Sequence, residues 1–93
     1  MTTTIAHYVH GATFTGESKR EQPVTNPATG AVTGQVRLAS HADVNTAVAA
    51  AQAAFPAWAD LPPLRRARIM FKFLDLLNAH RDDLARMITA EHG

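Results

Sequence analysis

The chain has 93 residues, 46% of them hydrophobic, and its nine basic and eight acidic residues give a formal charge of +1. This length allows one small domain at most, with a marginal core, and the balanced charge argues against nucleic acid or an anionic membrane as the main partner. The sequence contains no cysteine, which excludes disulfides, cysteine-ligated zinc and a thiol nucleophile within these residues. The stretch MTTTIAHYVHG has no basic region and no long apolar run, so we expect no secretory signal, no transmembrane helix and a cytoplasmic location.

Residues 1–40 are rich in turns and in short segments typical of strands. Apolar residues that precede glycines in residues 8–16 predict a small β-hairpin. Residues 17–22 are charged and polar, and we interpret them as a loop.

A second β segment is centred on a proline turn. Residues 24–25 are expected to be extended, because the next residue, Asn26, precedes a proline. Residues 26–30, NPATG, predict a turn, since Asn, Pro and Gly each favour turn conformations. The alternation of residues 32–37 has the period of a strand.

The first predicted helix covers residues 41–55. Ser40 is a favourable N-cap residue, and Asp43 three positions later completes a possible capping box. Apolar residues then recur at helical spacing, and Pro56 is predicted to end the helix.

Two further helices are predicted, at residues 63–79 and 81–92. Prolines suit the first turn of the second helix, at Pro62-Pro63. Its apolar residues cover well over half of its surface: Ala67, Ile69, Met70, Phe71, Phe73, Leu74, Leu76 and Leu77. A surface helix needs an apolar stripe of only about 100°, so we expect something outside these residues to cover the helix. The chain would then either oligomerise or be the first piece of a larger protein.

The polar residues indicate no active site. His7 and His10, three apart in an extended segment, would point to opposite faces, and the other histidines, at positions 41, 80 and 92, lie near helix ends. We interpret all five as solvated or capping rather than as metal ligands. The glycines match neither dinucleotide nor P-loop spacing.

Two clusters of charged residues are also interpreted as structural and not as parts of an active site. Asp82 and Asp83 are adjacent on a helix and therefore point about 100° apart, which makes them a poor acid–base pair. Their charges instead suit the start of the third helix. A cluster of arginines, Arg65, Arg66 and Arg68, is interpreted as a solvated helix face in preference to an anion site.

Three stretches carry a resemblance to a known family: VTNPATGAVTGQVRLAS (24–40), VNTAVAAAQAAFPAWADLPPLRRARIMFKFLDLLNAH (44–80) and RDDLARMITAEHG (81–93). They contain, in order, an Asn-Pro-x-Thr-Gly turn, a strand, an alanine-rich helix ending in Phe-x-x-Trp, a proline-containing step, an arginine-bearing helix and a helix closing on Glu-x-Gly. In this ordered set the chain resembles the N-terminal segment of the aldehyde dehydrogenase superfamily. Two segments, residues 68–73 and 84–93, look most like the CoA-acylating methylmalonate-semialdehyde dehydrogenases.

The resemblance implies an architecture. The family fold is α/β, and this segment is expected to be α+β, with strands followed by three helices. Residues 1–40 would form an N-terminal β-rich arm, and residues 41–93 the first helices of an NAD-binding domain. Family members are several times longer, so the chain is expected to be a fragment or an incomplete gene model, with the remainder of its own chain as its partner.

The resemblance also implies a chemistry. A cysteine thiolate attacks the aldehyde, hydride passes to NAD, and CoA takes the acyl group from the resulting thioester. Methylmalonate or malonate semialdehyde would give propionyl-CoA or acetyl-CoA. The family's catalytic and nucleotide-binding residues lie later in its chain, so no catalytic, cofactor-binding or metal-binding residue is expected here. The 93 residues alone should be inactive, and the full-length enzyme should be a homodimer or homotetramer.

Two alternatives remain at this point. The chain could belong to another aldehyde dehydrogenase, such as a succinate-semialdehyde dehydrogenase. It could also be a complete, non-enzymatic helical module that pairs through the face formed by Met70, Phe73 and Leu77.

Overall fold

A computed structural model describes residues 3–93, which form five strands followed by three helices. The strands are β1 (Thr3–Ile5), β2 (His7–Val9), β3 (Ala12–Phe14), β4 (Glu21–Thr25) and β5 (Val32–Arg37). The helices are α1 (His41–Ala59), α2 (Pro63–Ala79) and α3 (Arg81–His92). The α+β prediction is confirmed.

The predicted hairpin consists of β2 and β3, which pair antiparallel with Val9 opposite Ala12. The two residues between them, His10 and Gly11, have φ values of 54° and 73°. Positive φ at both positions is typical of a type I′ turn, whose twist matches that of the flanking strands. The interpretation of His10 as part of an extended segment was therefore wrong, because the chain reverses at this residue.

The remaining strands form a sheet in the order β1-β5-β4. β4 runs antiparallel to β5 through the predicted turn at residues 26–30, where the Gly30 N–H donates to the Asn26 carbonyl oxygen at 2.8 Å. β1 lies parallel to β5 on its other side, and no sequence pattern predicts this strand. A Cβ at Gly34 would lie 2.9 Å from the Thr3 carbonyl oxygen, so this pairing requires a glycine there.

Two predicted boundaries were wrong. β4 begins at Glu21, so residues 21–22 belong to a strand rather than to the loop, because they pair with Arg37 and Val36 of β5. α1 continues through Pro56 to Ala59. Proline removes one N–H from the helix ladder, but the next turn is still closed, since the Asp60 N–H donates to the Pro56 carbonyl oxygen at 2.9 Å.

The helices otherwise lie where the sequence placed them. α2 and α3 have the predicted bounds, and α1 begins on the predicted cap at Ser40. None of the helices within residues 3–93 combines the length and apolar character needed to cross a membrane.

Residues 3–93 contain no buried apolar side chain. In this described part of the chain, extensive contacts between elements occur only between paired strands. The radius of gyration is 17.0 Å, against about 12 Å expected for a compact domain of this length. The smallest dimension, 16 Å, is only slightly more than one helix diameter of about 10–12 Å. The described chain is therefore a thin, open layer.

Candidate functional site

The most organised polar cluster surrounds Asp43 in the first turn of α1. Asp43 is 4% exposed. Its Oδ1 accepts a hydrogen bond from the Glu17 N–H at 2.9 Å, and its Oδ2 accepts one from the Ser40 N–H at 2.9 Å. The Asp43 N–H donates in turn to Ser40 Oγ at 3.0 Å. These contacts confirm the predicted capping box, and they also attach the loop before β4 to the start of α1.

The same hydrogen bonds fix the charge of this carboxylate. Backbone N–H donation from Ser40, followed by that from Glu17, lowers the pKa of Asp43 from 3.8 to about 2, although burial acts in the opposite direction. A general acid or base should have a pKa near the working pH. Asp43 is therefore suited to holding the backbone and not to proton transfer.

Gly16 completes this cluster. Its φ is 74°, and a Cβ built on it would lie 2.5 Å from Asp43 Oδ2. Position 16 therefore requires glycine for two reasons: the left-handed backbone and the close approach of the carboxylate. The close approach of Asp43 could not be predicted from the sequence, because nothing local to Gly16 points to Asp43.

Two arginines hold the same loop against β5. Arg37 Nη2 donates to the Ser18 carbonyl oxygen at 2.7 Å, and its Nη1 lies 3.1 Å from Glu21 Oε1. Arg20 Nη2 donates to the Ala39 carbonyl oxygen at 2.9 Å. Both guanidinium groups thus donate hydrogen bonds to backbone carbonyl oxygens.

The histidines are not brought together. His7 is half-buried on β2, with its ring centroid 6.1 Å from that of Phe14, so it packs rather than being solvated. The other histidines are exposed: His10, His41, His80 and His92. Residues 3–93 contain no group of three or more histidine, cysteine or acidic side chains arranged to hold a metal ion.

The predicted acidic pair is exposed at the start of α3. Asp83 Oδ1 lies 3.1 Å from Arg86 Nη1, and its Oδ2 lies 3.8 Å from His80 Nδ1. Asp82 shares the first turn of the helix. Both carboxylates suit the positive end of the helix dipole, as their place at the predicted helix start indicates.

The arginine cluster at the start of α2 divides in two. Arg65 and Arg68 are exposed, whereas Arg66 is half-buried. The Arg66 Nε is buried, and it has no hydrogen-bond partner among the described residues. The interpretation of all three as one solvated face therefore holds for Arg65 and Arg68 but was wrong for Arg66.

The three helix starts in residues 3–93 are poorly suited to binding a pyrophosphate. A pyrophosphate commonly binds to free N–H groups at a helix N-terminus. In residues 3–93, the start of α1 is already closed by the capping box of Ser40 and Asp43, and α2 begins at Pro62–Pro63, where prolines lack N–H groups. The start of α3 carries Asp82 and Asp83, which would repel phosphate.

A surface feature that a partner could use is the exposed apolar side of α2. We define the α2 apolar face as Ile69, Met70, Phe73, Leu74 and Leu77. Their exposed fractions lie between 38% and 52%. Monomeric proteins seldom expose a contiguous apolar surface of this kind unless it makes an interface. The candidate functional site is therefore a docking surface.

Comparison with known proteins assigns the chain to a family. The profile described as the aldehyde dehydrogenase family matches residues 14–93. This chain belongs to the aldehyde dehydrogenase family.

The aldehyde dehydrogenase segment is also similar to curated proteins. It is 44% identical over 92 residues to malonate-semialdehyde dehydrogenase 3 of Geobacillus kaustophilus, covering 99% of this chain and 19% of that protein. It is 43% identical over 90 residues to malonate-semialdehyde dehydrogenase 1 of Geobacillus thermodenitrificans, again covering 19% of the relative. The chain thus spans about a fifth of the length of these relatives.

Solved structures contain the same arrangement. A protein of Sinorhizobium meliloti 1021, described as a methylmalonate-semialdehyde dehydrogenase and solved in complex with NAD, has a TM-score of 0.97 and 46% identity. The match covers 100% of this chain and 19% of that one. The methylmalonate-semialdehyde dehydrogenase of Oceanimonas doudoroffii has a TM-score of 0.93 and 49% identity, over 98% of this chain and 18% of that one. The open layer seen here is therefore a conformation that much longer subunits also contain.

Proposed function

We propose that these residues form the N-terminal layer of an NAD-dependent semialdehyde dehydrogenase. In this proposal the whole enzyme oxidises malonate or methylmalonate semialdehyde and transfers the acyl group to CoA. Residues 1–40 act as a β-rich arm, and residues 41–93 are the first helices of the NAD-binding domain. The enzyme is a cytoplasmic homodimer or homotetramer.

One observation carries this proposal. The whole chain superposes on part of an NAD-bound methylmalonate-semialdehyde dehydrogenase with a TM-score of 0.97 at 46% identity. Likeness at this level of identity supports a shared substrate class as well as a shared fold. The names of the curated relatives point to the same class of substrate.

The role of the segment is structural. Its polar groups hold backbone, and no thiol is present to attack an aldehyde. NAD, when bound to the whole enzyme, accepts the hydride. The residues described here support the domain that binds it, through the sheet and the docking surface on α2.

The test is a graft, defined as the full-length Sinorhizobium meliloti subunit in which residues 1–93 of this chain replace the matching segment. We expect the graft to form NADH from malonate semialdehyde, NAD and CoA at a rate within about tenfold of the parent protein, since the residues in contact with substrate are unchanged. The isolated 93-residue chain, assayed alongside, should form none.

A pair of variants of the graft tests the α2 apolar face specifically. Phe73→Asp places a charge on the α2 apolar face and should reduce the yield of soluble graft, because an unpaired buried charge is costly. Lys72→Asp changes the neighbouring residue and should have little effect on yield. A graft that is soluble and oligomeric but forms no NADH would contradict the proposal.

A further inference from the structure

Arg66 occupies an unexpected place on α2. Residues at i, i+4, i+7 and i+11 share one stripe of an α-helix. Counted from Arg66, these positions are Met70, Phe73 and Leu77, which form the centre of the α2 apolar face. Arg65 and Arg68 fall instead on the flank and far side of the helix, where they are exposed.

The guanidinium of Arg66 is incompletely satisfied within the described chain. Its Nε is buried without an acceptor, although the side chain as a whole is only half-buried. The ion pairs within residues 3–93 involve Arg37, His80 and Arg86, not Arg66. An arginine always carries its charge, so any layer that covers the apolar face must also accept hydrogen bonds from this cation.

The length of the relatives indicates what covers the face. The chain covers 19% of the Sinorhizobium meliloti protein at a TM-score of 0.97, so about four fifths of such a subunit lie outside the matched region. A charge enclosed in an apolar contact is tolerated only when it is paired. Carboxylate is the acceptor whose geometry matches the planar guanidinium fork.

We propose that the α2 apolar face docks onto the remaining part of a semialdehyde dehydrogenase subunit, and that Arg66 forms an ion pair there with a carboxylate of the covering layer. This inference rests on the proposed function. Arg66 is then a positioning residue, which sets the register of α2 on a surface that apolar contacts alone would leave free to slide.

The test uses the graft and two arginine variants. Arg66→Met keeps the length of the side chain but leaves the partner carboxylate unpaired, and it should lower the thermal midpoint of the graft at pH 7 by about 5 °C or more. Arg68→Met, on the exposed side of the same helix, should change the midpoint by no more than about 1 °C. Arg66→Lys should recover part of the loss, because it restores the charge without the fork.

The pH dependence of the thermal midpoint tests whether the acceptor for Arg66 is a carboxylate. In the Arg66→Met graft, the unpaired carboxylate can bind a proton in the folded state. The free-energy cost of burying this group therefore falls as the pH falls. The difference in thermal midpoint between Arg66→Met and the unmodified graft should therefore shrink between pH 7 and about pH 5. A decrease in thermal midpoint that is the same at every pH would contradict a carboxylate acceptor, because backbone carbonyl acceptors do not titrate.

Other outcomes separate this inference from the proposed function. A graft that never gives a soluble oligomer would contradict the proposed function itself. A stable, active graft in which Arg66→Met has no effect would contradict only the ion pair. If the isolated 93-residue chain forms a discrete, cooperatively melting dimer that Arg66→Met dissociates, the face belongs to a second copy of the chain and the proposal is overturned.

Discussion

At the scale of single residues, the best-defined feature is the carboxylate of Asp43. It accepts backbone N–H groups from both the arm and the start of α1, so one side chain joins two segments far apart in sequence. The capping pair with Ser40 could be predicted, because its spacing is local. The bond to Glu17 could not, since no sequence pattern reports which loop reaches a helix end.

The first prediction concerns the pH at which this junction opens. The pKa of Asp43 is lowered to about 2 in the folded chain, against an unperturbed 3.8. A carboxyl whose pKa is lower in the folded state stabilises that state at pH values above the pKa of the unfolded chain. This stabilisation is lost as the pH falls towards the pKa of the folded state. The graft should therefore melt at a higher temperature than its Asp43→Asn variant at pH 7, and the difference should shrink as the pH falls from about 4 towards 2. A difference in thermal midpoint that does not change with pH would mean that the junction does not form.

The second prediction compares alanine substitutions at two glycines that have the same backbone conformation. Gly16 and Gly30 have φ values of 74° and 76°, but an added Cβ meets Asp43 at Gly16 and nothing within 4 Å at Gly30. Alanine at either position costs about 1–2 kcal/mol of left-handed strain. Gly16→Ala should in addition speed hydrogen exchange at the Glu17 N–H by about tenfold, whereas Gly30→Ala should leave that amide unchanged. Equal effects of the two variants would rule out the close packing against Asp43.

At the scale of secondary structure, local periodicity was sufficient for the helices. The bounds of α2 and α3 follow from prolines, apolar spacing and first-turn acids. β1 could not be predicted, because three residues carry too little pattern and the partner strand, β5, lies about thirty residues further along the chain. Pro56 misled the prediction for α1, since proline usually ends a helix, yet Ala57, Trp58 and Ala59 continue it here.

The third prediction tests the continuation of α1 through Pro56. Pro56→Ala restores an N–H that can donate to the Gln52 carbonyl oxygen, and an alanine is favoured over proline inside a helix by about 3 kcal/mol. The helical content of the chain should rise, with helical Cα shifts strengthened in residues 52–59. A variant with unchanged or reduced helicity in that segment would place the true end of α1 before Pro56.

At the scale of the whole molecule, the chain has secondary structure without a core. Eighteen large apolar side chains are exposed among the described residues, and none is buried. Full burial of a large apolar side chain is worth about 1.5–3 kcal/mol, and each of these side chains forgoes part of that, while an entire domain has a net stability of only about 5–15 kcal/mol. This argues against a self-sufficient helical module. The wide face of α2 predicted this outcome from sequence, because residues 1–40 hold too few large apolar groups to cover it.

We have proposed that the rest of a longer dehydrogenase subunit covers the α2 apolar face. Amide hydrogen exchange over residues 63–79, compared between the isolated chain and the graft, tests it most directly, because exchange reports the local free energy of opening. We predict rapid exchange in the isolated chain and exchange slowed by about a hundredfold or more in the graft, with residues 10–11 of the exposed hairpin turn unchanged as the internal control. Equal protection of residues 63–79 in both proteins would contradict the claim.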